Sequence, residues 1–193
     1  MTLLSTQNET LELSDWITEG AEPFASIEDA NLSSLKERVG DARVVLIGEA
    51  SHGTSEFYRM RQRITKELIR LKGVHRIAIE GDWPDVEWID EYVRARDPKM
   101  DRTRQAFDRF PSWMWRNREM VDFIDWLRSY NQARPSASER VAMHGLDLYS
   151  FYESMHAVLE HFEALGDTET LESVRSHYAN LLAYDPEPQD YGR

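Results

Sequence analysis

The stretch Val44-Val45-Leu46-Ile47-Gly48-Glu49-Ala50-Ser51-His52-Gly53 decides how this chain reads. Its first four residues are apolar and mostly β-branched, the composition of a buried strand. Thr54 to Leu71 then carries Phe57, Met60, Ile64, Leu68 and Leu71 at spacings of three and four. That spacing predicts an amphipathic helix with those residues inward. An acid and an imidazole thus stand where a strand hands over to a helix. In open α/β sheets this is the edge that binds ligands. The flanking glycines permit a sharp turn and the close approach of a ligand. The helix N-terminus adds unpaired N–H donors and positive potential.

Two later segments repeat the pattern. Arg76-Ile77-Ala78-Ile79 runs into Glu80-Gly81-Asp82-Trp83-Pro84, where Asp82 or Pro84 opens a helix. Val141-Ala142-Met143-His144 runs into Gly145-Leu146-Asp147. Strands alternating with helices predict an α/β fold, a short parallel sheet flanked by helices in layers. In right-handed βαβ units the carboxyl ends of parallel strands share one side. Glu49, His52, Glu80 and Asp147 are therefore expected to converge on one cleft.

The other segments are read more simply. Residues 1–13 are expected to be mobile, and 14–193 to form the α/β domain. Ile27 to Val39 reads as a first helix with Ile27, Ala30, Leu35 and Val39 inward. Val86 to Val93 is a short helix with Ile89 and Tyr92 inward. Arg94 to Arg104, dense in charge and holding Pro98, reads as a loop. Asn117 to Tyr130 is helical through Met120, Ile124 and Leu127. Gln132 to Arg140, with Pro135, is a surface connection. Ser150 and Glu153 have capping-box spacing. They open a helix through Phe151, Met155, Leu159 and Phe162 that closes near Gly166. A last helix spans about Thr168 to Ala183.

Composition narrows the function classes. In 193 residues, 41% are hydrophobic and 30% charged, ordinary for a folded domain. No apolar stretch reaches membrane-span length, and the start lacks a basic, apolar leader. The absence of cysteine excludes disulfides, thiolate zinc sites and a cysteine nucleophile. A net charge of −12 argues against nucleic-acid or anionic-membrane partners. A cytoplasmic location fits these features.

The chemistry centres on His52. Imidazole, with an ordinary pKa of about 6.5, accepts a proton from water near neutral pH. Glu49, three residues earlier, could hold the ring in one tautomer and stabilise the imidazolium. No G-x-S-x-G elbow is present. Ser51 and Ser55 are nearby hydroxyls, but direct activation of water by His52 is the more economical reading. Arg61, two helical turns beyond Thr54, could pair with Glu80 or face a developing oxyanion. Asp147 is a candidate substrate residue. Trp113, Met114 and Trp115 form either core or the wall of an apolar substrate pocket, with Trp115 taken as the substrate contact. His144 is expected to pack within the sheet. A rival reading puts a divalent metal on Glu49, His52, Glu80 and Asp147. Against it, one histidine stands on this face and no HExxH helix exists.

The blocks GEASHGTSEFYRMR, IAIEGDWPD, FPSWMWRNREMVDFIDWLRSYN and HGLDLYS, in this order and spacing, resemble the erythromycin esterase family. The resemblance implies hydrolysis of a carboxylic ester or macrolide lactone, an antibiotic-resistance chemistry. Its matching positions are Glu49, His52, Arg61 and Glu80, with His52 as general base on water and neither metal nor cofactor required. Family members are usually more than twice this long, and their site takes a further histidine from the second half. The chain is thus expected to be the N-terminal part of a larger domain, with its catalytic site incomplete. It is expected to expose an apolar core face and to self-associate through it. A non-catalytic, ligand-binding half is the remaining alternative.

Overall fold

Two of the three apolar runs become strands. The computed structural model describes residues 5–94, 106–107, 112–148 and 150–185. In it β1 (Arg76–Asp82) and β2 (Ala142–Asp147) pair in parallel, Ile77 opposite Met143 and Ala78 opposite His144. The run 44–47 is not a strand, which corrects the expectation of three. Its exposure alternates as a strand's would, with Val44 74% and Leu46 92% exposed and Val45 and Ile47 half-buried. A strand also needs a ladder of hydrogen bonds to a neighbour. Among the described residues this run has none.

The chain divides into two compact units, residues 1–48 and 49–193. The first holds α1 (Ser5–Gly20) and α2 (Ser33–Val39). The helix expected from Ile27 is confined to α2. Ser26 and Asp29 bond each other, and the Asn31 side chain accepts from the Ser33 N–H at 3.0 Å. Such local side-chain bonds compete with helix. Ile27 and Ala30 are buried all the same.

The second unit holds the sheet with α3 (Ser55–Lys72), α4 (Trp83–Val93), α5 (Ser112–Trp115), α6 (Arg118–Gln132), α7 (Phe151–Leu165) and α8 (Thr168–Leu182). This is the expected α/β layering. The core lies where β2 meets α4 and α6: Val86, Ile89, Val93, Leu127 and Met143 are fully buried, with Ile77 and Ile79 packed against them. Most of the loop expected at 94–104 falls outside the described residues. No described helix is long and apolar enough to cross a membrane.

Two buried polar side chains finish β2. The Asn131 amide accepts from the Val141 N–H at 2.8 Å and donates to the Val141 carbonyl at 2.9 Å. Asp90 accepts from the Met143 N–H at 2.8 Å and from Arg94 Nε at 2.8 Å. Successive peptide groups alternate across a strand, and the Ala142 N–H goes to the β1 side, to the His75 carbonyl. Asn131 and Asp90 therefore serve the other edge, where a further strand would sit. Gly145 permits the close packing of α4: a Cβ there would lie 2.5 Å from Trp83 Cα and 2.6 Å from the Gly81 oxygen.

Two helix details depart from expectation. The inner face of α3 is Tyr58, Leu68 and Ile69; Phe57, Met60 and Ile64 are half-buried and Leu71 is exposed. Ser150 caps α7 without a side-chain bond. Its backbone N–H, which a capping box would give to Glu153, instead donates to Asp82 at 3.0 Å. Its hydroxyl is buried with no partner among the described residues.

Candidate active site

The site is built on the turn that enters α3. Gly53 sits at φ +79, the left-handed region that favours glycine, and Thr54 resumes extended backbone as the N-cap. The turn brings His52 back over Glu49, with Nδ1 2.6 Å from Oε1. An ionised carboxylate only accepts, so Nδ1 is the donor of this contact, and in the neutral ring Nε2 is the acceptor. Ser51 does not face the ring; its hydroxyl is 2.7 Å from that of Thr54.

Glu49 is only 9% exposed, and its second oxygen lies 2.8 Å from Arg61 Nη2. The pair has charge contact without hydrogen-bond alignment. Arg61 arrives there because Tyr58, one turn earlier, is on the buried side of α3. Its guanidinium lies over two aromatic rings, 4.7 Å from the Tyr58 centroid and 5.7 Å from that of Trp115. Those rings are fixed in turn. The Tyr58 hydroxyl donates to the Met114 carbonyl at 2.6 Å, and Trp115 Nε1 donates to the Glu80 carbonyl at 2.8 Å. The rings meet edge to face at 6.1 Å. Burial pushes the Tyr58 hydroxyl's pKa up, against the opposing pull of the Gly53 backbone. Elsewhere on α3, Ser55 donates to the Glu119 carboxylate of α6 and Gln62 to the Glu119 carbonyl. The Ser55 bond holds the Glu119 carboxyl below its usual range.

The expected residues are distributed as follows. Glu49 and His52 are together, and Arg61 joins them by pairing with Glu49 rather than with Glu80. Glu80 lies in β1, two residues before its end, with an exposed side chain; among the described residues its backbone carbonyl is what is tied to the site, through Trp115. The Asp147 carboxylate folds back on the Leu148 N–H at 2.8 Å and does not join His52. Trp115, expected at the substrate, is buried and adjoins the site through Arg61 and Tyr58. His144 is half-buried in β2, with a buried Nε2 that has no partner among the described residues. Among the described residues no three His, Asp or Glu side chains cluster as metal ligands would. Sequence reading missed Tyr58, whose spacing of three from Arg61 was the available signal. A cavity of about 300 Å³ is lined by Trp115 together with Ile89, Phe107, Met120, Ile124, Arg116 and Arg118.

This chain resembles known proteins over most of its length. It is 26% identical over 169 residues to the erythromycin esterase type II of Escherichia coli, covering 83% of this chain and 38% of that protein. A crystal structure of a Bacillus cereus protein superposes with a TM-score of 0.67 at 28% identity, over 89% of this chain and 41% of its own. One of a succinoglycan biosynthesis protein gives 0.67 at 27% identity, over 89% and 40%. The chain thus spans about two fifths of the length of these relatives. The family described as erythromycin esterase matches residues 69–193, a span that holds Glu80, Trp113, Trp115 and Asp147 and begins after Glu49, His52 and Arg61. Because that match takes in more than half of the chain, this protein belongs to the erythromycin esterase family.

Proposed function

We propose that this protein hydrolyses a carboxylic ester or lactone, with His52 as general base on water. The observation that carries the reading is the Glu49 carboxylate, held by Arg61 on one oxygen and by the His52 Nδ1 on the other. An imidazole so oriented presents an unprotonated Nε2 on the exposed side of the turn. In the reaction Nε2 takes a proton from water as the water oxygen bonds to the carbonyl carbon. The tetrahedral intermediate then expels the alkoxide, which takes the proton back from the imidazolium. Glu49 stabilises the imidazolium between these steps. Arg61 is a positioning residue, since it acts through Glu49. The name of the Escherichia coli relative supports a macrolide lactone as the substrate class.

The test is hydrolysis of p-nitrophenyl acetate and of a macrolide lactone by the protein and its variants. His52→Asn should lower kcat/KM by about two to four orders of magnitude with the fold intact by circular dichroism. Glu49→Gln should cost less, because it keeps the shape and loses the charge. Undiminished hydrolysis by His52→Asn would sink the reading. So would loss of activity to a chelator with recovery on adding a divalent metal, which would favour a metal site instead.

A further inference from the structure

The α5 turn sends adjacent side chains in opposite directions. Met114 and Trp115 are buried, whereas Trp113 is 52% exposed. The Trp113 indole rests on Gly53, where a Cβ would lie 3.3 Å from Cζ3 and 3.5 Å from Cε3. Its centroid is 6.5 Å from that of the His52 imidazole, the planes tilted by 58°. The indole N–H has no hydrogen bond among the described residues, so packing on the bare glycine is what seats the ring. A large apolar side chain is therefore left half open to water beside the imidazole. Tryptophan is enriched where an apolar partner meets a protein surface.

We propose that Trp113 is a specificity-determining residue whose open indole face binds the uncharged, apolar acyl or alkoxy part of an ester. This rests on the hydrolase reading of His52. With the apolar arm on the indole, the carbonyl carbon is held beside the water that the imidazole activates, and esters with longer apolar arms are favoured over short ones. Gly53 has a part in this: its lack of a side chain lets the ring lie within reach of His52.

The experiment has two arms. The first compares kcat/KM for p-nitrophenyl hexanoate and p-nitrophenyl acetate. Trp113→Ala should lower the hexanoate-to-acetate ratio about tenfold, and Trp113→Phe should keep most of it. Equal losses on both esters would mean a merely structural role and would overturn the proposal. The second arm needs no turnover. Protein labelled with 5-fluorotryptophan is titrated with hexanamide and with acetamide, and the Trp113 resonance is assigned by its absence in Trp113→Phe. A saturable shift of that signal by hexanamide, larger than any shift by acetamide, supports the proposal. No shift, or the same shift with both amides, overturns it. If the protein hydrolyses neither ester, the hydrolase reading fails while the fluorine titration still decides what the indole binds.

Discussion

Glu49 is nearly buried, and a buried carboxylate is tolerated only when its charge is answered. Arg61 and His52 answer it from opposite sides. Arg61→Gln should therefore destabilise the fold by about 1–3 kcal/mol in urea unfolding, the range for losing a charged partner in a partly screened setting. Arg61→Lys should recover only part of that, because an ammonium keeps the charge and loses the planar contact with Tyr58 and Trp115. Equal stability of Arg61→Gln and the parent would mean that Glu49 needs no partner. Tyr58 gives a test with a sign in pH. Its pKa is raised from 10.0, chiefly by burial, so folding favours the protonated phenol. That contribution is whole below about pH 10 and is lost as pH climbs through the folded value. Tyr58→Phe should remove this alkaline loss and cost about 1 kcal/mol at neutral pH for the bond to Met114. Its denaturation midpoint should hence fall less steeply than the parent's above pH 10. At this scale the Glu49–His52 contact was legible because it is local, three residues within one glycine turn. The partner of Arg61 was not. It depends on how α3 is rotated, and the apolar spacing of Phe57, Met60 and Ile64 pointed one residue away from the Tyr58 face that is buried.

At the scale of elements, the strands show where apolar pattern suffices. The runs 76–79 and 141–144 do give strands, which continue past the expected ends through Gly81 and Gly145 to Asp82 and Asp147. Residues 44–47 have the same pattern and no ladder, since pattern states what a strand would bury and says nothing of whether a partner stands alongside. Asn131 was invisible to such reading, because a buried amide on a helix has no periodic signature. Yet it supplies β2 with both a donor and an acceptor. Asn131→Leu should keep the branching and heavy-atom number, add bulk and orphan the Val141 N–H, a loss of roughly 2–3 kcal/mol in chemical denaturation. A neutral result would mean that water replaces the amide. Gly145→Ala tests the seat of α4. The added carbon would press on the backbone of Trp83 and Gly81, which cannot swing aside as a side chain can. A loss of about 1–3 kcal/mol is expected, and wild-type stability would mean that the start of α4 shifts freely.

Among the described residues of the second unit, one face of the sheet is packed and the other is partly open, with Ala142 buried and His144 half-buried on it. Ile77, Ile79 and Met143 face the helices α4 and α6. Ala78, Glu80 and Leu146 occupy the other face and are exposed, Leu146 at 71%. Parallel strands are ordinarily covered on both sides, and the relatives of this chain are more than twice its length. The open end of that face, around Ala78, Glu80 and Leu146, is a surface that a second copy of the chain could cover. The net charge of −12 opposes such pairing by mutual repulsion. These two forces scale differently with salt. Raising ionic strength from about 0.01 M to 0.15 M shortens the screening length from about 30 Å to about 8 Å and leaves apolar contact intact. The protein should thus be mainly monomeric at low salt and should self-associate, weakly and reversibly, at physiological salt. Sedimentation velocity across a concentration series at both salts measures this, and binding of a hydrophobic dye reports the open end. Leu146→Lys places a charge at that open end, and it should reduce both association and dye binding without loss of stability, because Leu146 is already exposed. Association that is insensitive to Leu146→Lys would put the contact elsewhere on the molecule. A monomer at every salt and concentration, with no dye bound, would show that the open face does not attract a second copy.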